Sequence, residues 1–129
     1  MKILAEISVG ELYDKITILN IKLNKINDPN KLKNIKIELD ALMEQSNKLI
    51  LKDDEILRKN IQKLQDINEE LWDIENAKRE CEANKEFGEI FIKISRDVHF
   101  KNDIRASIKK EINLLSNSKI TEEKEYSKY

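Results

Sequence analysis

Asn102, Arg105, Lys109 and Asn113 recur at spacings of three, four and four, which sets their side chains on one helix face. Arginine occurs at only four positions, 58, 79, 96 and 105, in a chain that otherwise takes lysine for its positive charge. The guanidinium is a planar fork of donors that grips a carboxylate or a phosphate with two parallel hydrogen bonds. Ala106, small and within the same stretch, leaves room for a group to approach the helix closely. The chemistry on offer is therefore recognition of an anion. Its source is either an anionic small molecule or an internal carboxylate such as Glu11, Asp14 or Glu75.

Two further constellations bear on the same question. Asn68, Glu75 and Arg79 project in the direction of Leu57, Ile61, Leu64 and Leu71, so polar groups share the apolar stripe of a helix, with Trp72 beside them. Burial of unpaired polar or charged groups costs several kcal/mol, of order 3–5 for a charge stripped of its partner. These residues are thus expected to pair with one another, with neighbouring helices or with a ligand. On the first helix Glu11, Lys15 and Lys22 lie beside the apolar seam, and Ile18 and Ile21 lie further round. A second apolar face implies cover on two sides. The plainer reading is a solvated Glu11–Lys15 pair one turn apart, contributing about 0.3–0.5 kcal/mol. Lys15, Asn68, Trp72, Glu75, Arg79, Asn102, Arg105, Lys109 and Asn113 form the candidate ligand site, with no catalytic residue singled out.

The remaining reactive side chains exclude more than they suggest. Cys81 and His99 are each alone in the chain, so neither an intrachain disulfide nor the common metal and triad arrangements are expected, and no metal or cofactor is assigned. Glu11/Asp14 and Glu70/Asp73 have the spacing at which paired carboxylates hold Mg²⁺ in all-helical nucleotide pyrophosphohydrolases. The two pairs stand too far apart in sequence for the usual pattern of those enzymes.

The elements that must position these groups are written in local signals. Ser8 followed by Glu11 is a capping box, and Val9, Leu12, Ile16, Leu19, Leu23 and Ile26 then alternate by three and four. Asp28-Pro29 closes that helix and opens the next, whose apolar residues are Leu32, Ile35, Leu39, Leu42 and Leu49; so short a link predicts an antiparallel hairpin. Asp53 or Asp54 caps a long third helix, from about Glu55 to Asn84. Gly88 marks a break or a close helix contact, and Phe87, Ile90, Phe91, Ile94 and Val98 mark a fourth helix. Near Asn102 the apolar phase shifts to Ile104, Ile108, Ile112 and Leu115, which predicts a bend or a restart with Asn102 as cap. Ile3, Ala5 and Ile7 alternate as in an extended segment over residues 1–7, and residues 116–129 form a polar tail in which Ile120, Tyr126 and Tyr129 can dock.

Together these predict an all-α antiparallel bundle of four to five helices with a short extended N-terminal segment, in one domain over residues 1–129. The composition agrees, with 40% hydrophobic and 38% charged residues but only two Gly and one Pro. Lys+Arg and Asp+Glu stand at 24 against 25, so no net field favours nucleic acid or an anionic membrane. No apolar run approaches a membrane span, and MKILAEIS lacks a signal-peptide core, so a cytoplasmic protein is expected.

The segments SVGELYDKITILNIKLNKI, NEELWDIENAKRE, FGEIFIKISRDVHFKNDIRASIKKEIN and EEKEY, in that order, resemble a family of small uncharacterised bacterial proteins, a domain of unknown function. The resemblance spans nearly the whole chain and implies no activity. Function must therefore be argued from the constellations. The leading expectation is a helical binding or accessory protein that self-associates or takes a protein partner and binds an anionic ligand. A small enzyme acting on an anionic or phosphorylated metabolite is the alternative, with the metal-dependent pyrophosphohydrolase behind it.

Overall fold

Helix α1 spans Val9–Lys25 and starts at its capping signal: Ser8 is extended, and its Oγ accepts a hydrogen bond from the Glu11 N–H at 3.0 Å. Only half of the capping box forms, because the Glu11 carboxylate turns to Lys109 Nζ at 2.6 Å. Helix α2, Pro29–Asn47, follows after a short link in which Asp28 Oδ1 accepts from the Asn30 and Lys31 N–H groups at 2.9 and 3.3 Å. Asp54 caps α3, Glu55–Ala83, in the same way through the Ile56 and Leu57 N–H groups. The computed structural model describes residues 1–49 and 54–129, so Asp53, the rival cap, lies outside the described residues. Helix α4, Glu89–Leu115, completes an all-helical bundle, with no strand among the described residues.

Helices α3 and α4 both end in a Schellman turn. The left-handed residues are Lys85 (φ 54°) and Asn117 (φ 58°), and the closing bonds run from Glu86 N–H to Cys81 O and from Ser118 N–H to Asn113 O, at 2.8 and 2.9 Å. Gly88 is the N-cap of α4 with open space around it. The glycine in close helix contact is Gly10.

α4 runs unbroken through Asn102, against the expected restart. Its first turns pack on α3, whereas its later turns also meet α1, through Arg105, Lys109 and Asn113. A second neighbour widens and rotates the buried face, so the apolar phase shifts while the helix continues.

α1 is the hub. It packs against α2, α3 and α4, while α2 packs on α1 alone among the described residues. This is the two-sided cover implied by its second apolar face: Leu12, Ile16 and Leu19 are buried, and so is Ile21. Asp14 meets Asn68 and Arg105, and Gly10 meets Asn113, so α1 runs antiparallel to α4. The common core joins Leu57, Leu64 and Ile67 of α3 to Ile112 of α4, with Val9, Tyr13 and Ile108 packed around them. α2 is mostly exposed, with Ile35 its one buried residue. Residues 1–7 carry no regular secondary structure and stand exposed, Ile3 at 86% and Leu4 at 93%.

Candidate functional site

The Asp14 side chain is 2% exposed at the meeting of α1, α3 and α4. Arg105 grips it bidentately: Nε donates to Oδ1 at 2.9 Å and Nη2 donates to Oδ2. Asn68 Nδ2 donates both to Asp14 Oδ1 at 2.9 Å and to Thr17 Oγ1 at 3.0 Å, which its two N–H bonds allow. Thr17 Oγ1 in turn donates to the Asp14 carbonyl at 2.9 Å. Lys109 Nζ lies 3.6 Å from Asp14 Oδ2 while bonded to Glu11. Burial by itself raises the Asp14 pKa. The hydrogen bonds from Arg105 and Asn68, with the charges of Arg105 and Lys109, outweigh it, and the carboxyl titrates below its ordinary value. The bond to Asp14 likewise holds Arg105 above its usual pKa. Two carboxylates and two cations thus balance inside the bundle.

A second chain of bonds fastens the start of α1. The Gly10 N–H donates to Asn113 Oδ1 at 2.7 Å, and Asn113 Nδ2 donates to Glu122 Oε2 at 3.2 Å. Ser8, fully buried, donates from Oγ to Glu122 Oε1, and Val9 N–H donates to Ser118 Oγ at 3.2 Å. The tail therefore docks, running back along α4 through a Lys110–Glu123 contact at 3.5 Å to Tyr129. There the hydroxyl meets Asp103 at 2.5 Å and the ring stands edge-on to His99 and Phe100. Both tyrosines nonetheless stay exposed, Tyr126 at 75% and Tyr129 at 79%, and of the three residues expected to dock only Ile120 is half-buried. Burial opposes the charge on Glu122, but its bonds to Ser8, to its own backbone and to Asn113, with Lys109 nearby, bring its pKa below the ordinary value. Glu122→Ala strands the buried Ser8 hydroxyl and is expected to destabilise the chain by about 1–2 kcal/mol. It should also speed tryptic cleavage at Lys119 and Lys124 several-fold, whereas an unchanged digestion rate would mean that the tail is held elsewhere.

Beside the Asp14 network a groove of about 240 Å³ opens between α1, α3 and α4. Five of the sequence-predicted residues line it: Asn68, Trp72, Glu75, Asn102 and Arg105. Its apolar walls are Ile18, Ile21, Leu71 and Val98. Lys109 and Asn113 belong to the bonded networks on the far side of Asp14. Lys15 does not join the site; it is half-exposed, 3.8 Å from Glu11. Nor does Arg79, which is 77% exposed and donates from Nε to Glu75 at 3.1 Å, with Glu75 itself 56% exposed. The register that places Asp14 beside Asn68 brings Arg79 level with Lys25, where α1 ends, so nothing on α1 covers that part of the α3 stripe. Asp14, Thr17, Ser8 and Glu122 were not among the predicted site residues.

Three of the four carboxylates in the pairs suited to Mg²⁺ are held by cations. Lys109 and Arg105 hold Glu11 and Asp14, and Lys101 holds Glu70 at 2.8 Å. Among the described residues no group of three or more His, Cys, Asp and Glu is placed to hold a metal ion. Likewise, no described helix is long and apolar enough to cross a membrane.

No curated protein and no solved structure matches this chain. A family model does, over residues 1–129, and the chain accordingly belongs to the family of unknown function DUF6165.

Proposed function

We propose that this protein is a small helical binding module, one domain working in the cytoplasm, and that its ligand site is the groove between α1, α3 and α4. The observation that supports this is the placing of Asn68, Asn102 and Arg105 at one end of a groove whose middle is walled by Trp72 and aliphatic side chains and whose far end carries Glu75. Ligand sites have this make-up, apolar walls with a few convergent polar groups. Arg105 spends Nε and one Nη2 hydrogen on Asp14, and its Nη1 contact with Asn102 Oδ1 is a long 3.5 Å. Donors therefore remain for a ligand. Binding is favoured over catalysis because the groove holds one acid, Glu75, and Arg79 already engages it.

Trp72 is the only tryptophan, so its emission reports on this groove. Titration with a panel of carboxylates, phosphates and sugar nucleotides should give a saturable change for at least one class, with a matching rise in melting temperature. Val98→Phe, which fills the groove, should suppress both. A panel without any response in either measurement would end the reading.

A second reading, self-association, is favoured by the exposed Ile3 and Leu4 and by Ile37 on the open side of α2. Light scattering should then show a dimer or larger species at micromolar concentrations, and replacement of Ile3, Leu4 and Ile37 by Ser should return it to monomer. A monomer throughout the concentration range would dismiss it.

A further inference from the structure

The groove is graded along its length, and that grading bears on the class of its ligand. Arg105 and Asn68 meet at Asp14. From that level the groove runs past Leu71 and Trp72 to Glu75 on α3, and past Asn102 to Val98 on α4. Seven residues of helix rise about 10 Å, so both walls carry the groove about 10 Å from its cationic end. Ile18 and Ile21, one and two turns beyond Asp14 on α1, line the same stretch. The occupant thus has a polar head at Arg105 and Asn102 and an apolar body against Trp72 and the aliphatic walls.

The charge balance constrains the head. Asp14 and Glu11 already neutralise Arg105 and Lys109, so the floor holds no surplus positive charge. A dianion, as a phosphate monoester is at neutral pH, would leave two uncompensated negative charges in a partly enclosed site. A single carboxylate would leave one, and could meet the outer edge of the guanidinium with two hydrogen bonds. An uncharged head would forgo those charge-assisted bonds.

We propose that the groove binds a monocarboxylate bearing a compact aromatic or branched apolar body, in preference to phosphorylated ligands. This rests on the groove reading of the proposed function, and the test separates the two. The probes are 3-phenylpropionate, the uncharged 3-phenylpropan-1-ol and phenyl phosphate, titrated into the full chain with Trp72 emission as readout. The carboxylate is expected to bind about tenfold more tightly than the alcohol, a factor worth about 1.4 kcal/mol, and more tightly than the phosphate. Arg105→Lys keeps the charge beside Asp14 but loses the fork, and should erase the preference for the carboxylate over the alcohol. If that variant does not fold, Asn102→Leu removes the second polar group at the head and should reduce carboxylate binding several-fold. Binding of the alcohol or the phosphate at least as tightly as the carboxylate would overturn the ligand class and leave the groove reading standing. No response to any of the three probes would also overturn the ligand class, and a silent wider panel of carboxylates, phosphates and sugar nucleotides would overturn the groove reading with it.

Discussion

Asp14→Ala is expected to lower the unfolding free energy by about 3–5 kcal/mol, the loss typical of a buried ion pair deprived of one partner. The substitution leaves Arg105 and Lys109 facing each other without the carboxylate that lies between them, and strands one hydrogen bond of Asn68. Urea denaturation followed by circular dichroism would measure it. Replacement of both members, Asp14→Leu with Arg105→Met, should recover part of the loss, giving a coupling energy above about 1 kcal/mol. Acid should reproduce the effect in the wild type. Asp14 and Glu122 both titrate below their ordinary values when folded, so their contribution is complete above the unfolded carboxylate pKa, about 4, and is lost as pH falls through the lower folded values. Stability should therefore hold from neutral pH to about 5 and decline below about 4. In Arg105→Met the folded pKa of Asp14 rises toward or past its unfolded value, so Asp14's share of the acid decline should shrink and the loss below about pH 4 should be shallower than in the wild type. A change below about 0.5 kcal/mol in Asp14→Ala would show the network to be no more than solvated surface.

Local signals made the frame legible. Ser8, Asp28-Pro29 and Asp54 each begin a helix by bonding to N–H groups two or three residues on, so a short window of sequence contains the whole interaction. Long-range pairing is where legibility failed. Asn102, Arg105, Lys109 and Asn113 were correctly placed on one face, and Asp14 and Glu11 were named with Glu75 as internal partners, but a stripe does not say which of these stands opposite, and Asp14 is 91 residues away from Arg105. A signal for Asp14 was nonetheless present. On a helical wheel it falls between Ile18 and Ile21, beside Thr17 and Gly10, at the centre of the second apolar face. Asp14 was named only as one of three carboxylates that could meet Arg105, while the charged line beside the first seam, Glu11, Lys15 and Lys22, drew the reading of α1. Arg79 failed in the opposite sense. Its wheel position is that of Asn68, but whether a position is covered depends on how far the neighbouring helix extends, and α1 stops at Lys25. Glu75, one turn earlier, lines the groove yet is 56% exposed. Glu122 was missed because a polar tail was expected to dock through its apolar residues, whereas a carboxylate reaching Ser8 and Asn113 fastens it.

Gly10→Ala should destabilise the bundle by about 1–3 kcal/mol, a range set by overpacking at a tight contact. An exposed glycine within a helix would behave in the opposite way, since alanine is the better helix former by up to about 1 kcal/mol. Gly10 has no positive φ, so its backbone would accept a side chain; the obstacle is space. A Cβ there would stand 2.6 Å from the carbonyl oxygen of Lys109 and 2.9 Å from Asn113 Oδ1. The first of these is backbone of α4 and cannot swing aside, so α1 and α4 must separate. Their separation would lengthen the 2.7 Å bond from Gly10 N–H to Asn113, and with it loosen the hold of Asn113 on Glu122. The variant should therefore lose stability and, at the same time, release the tail to trypsin. Asn113→Ala added to Gly10→Ala relieves one contact but not the Lys109 carbonyl, so the double variant should gain nothing over Gly10→Ala. Gly88→Ala is the control: nothing lies within 4 Å of the Cβ it would add, and its effect should stay within about 0.5 kcal/mol. A Gly10→Ala chain as stable as the wild type would mean that the helices part at little cost, and the close contact between α1 and α4 would then not be what holds Asp14 in reach of Arg105.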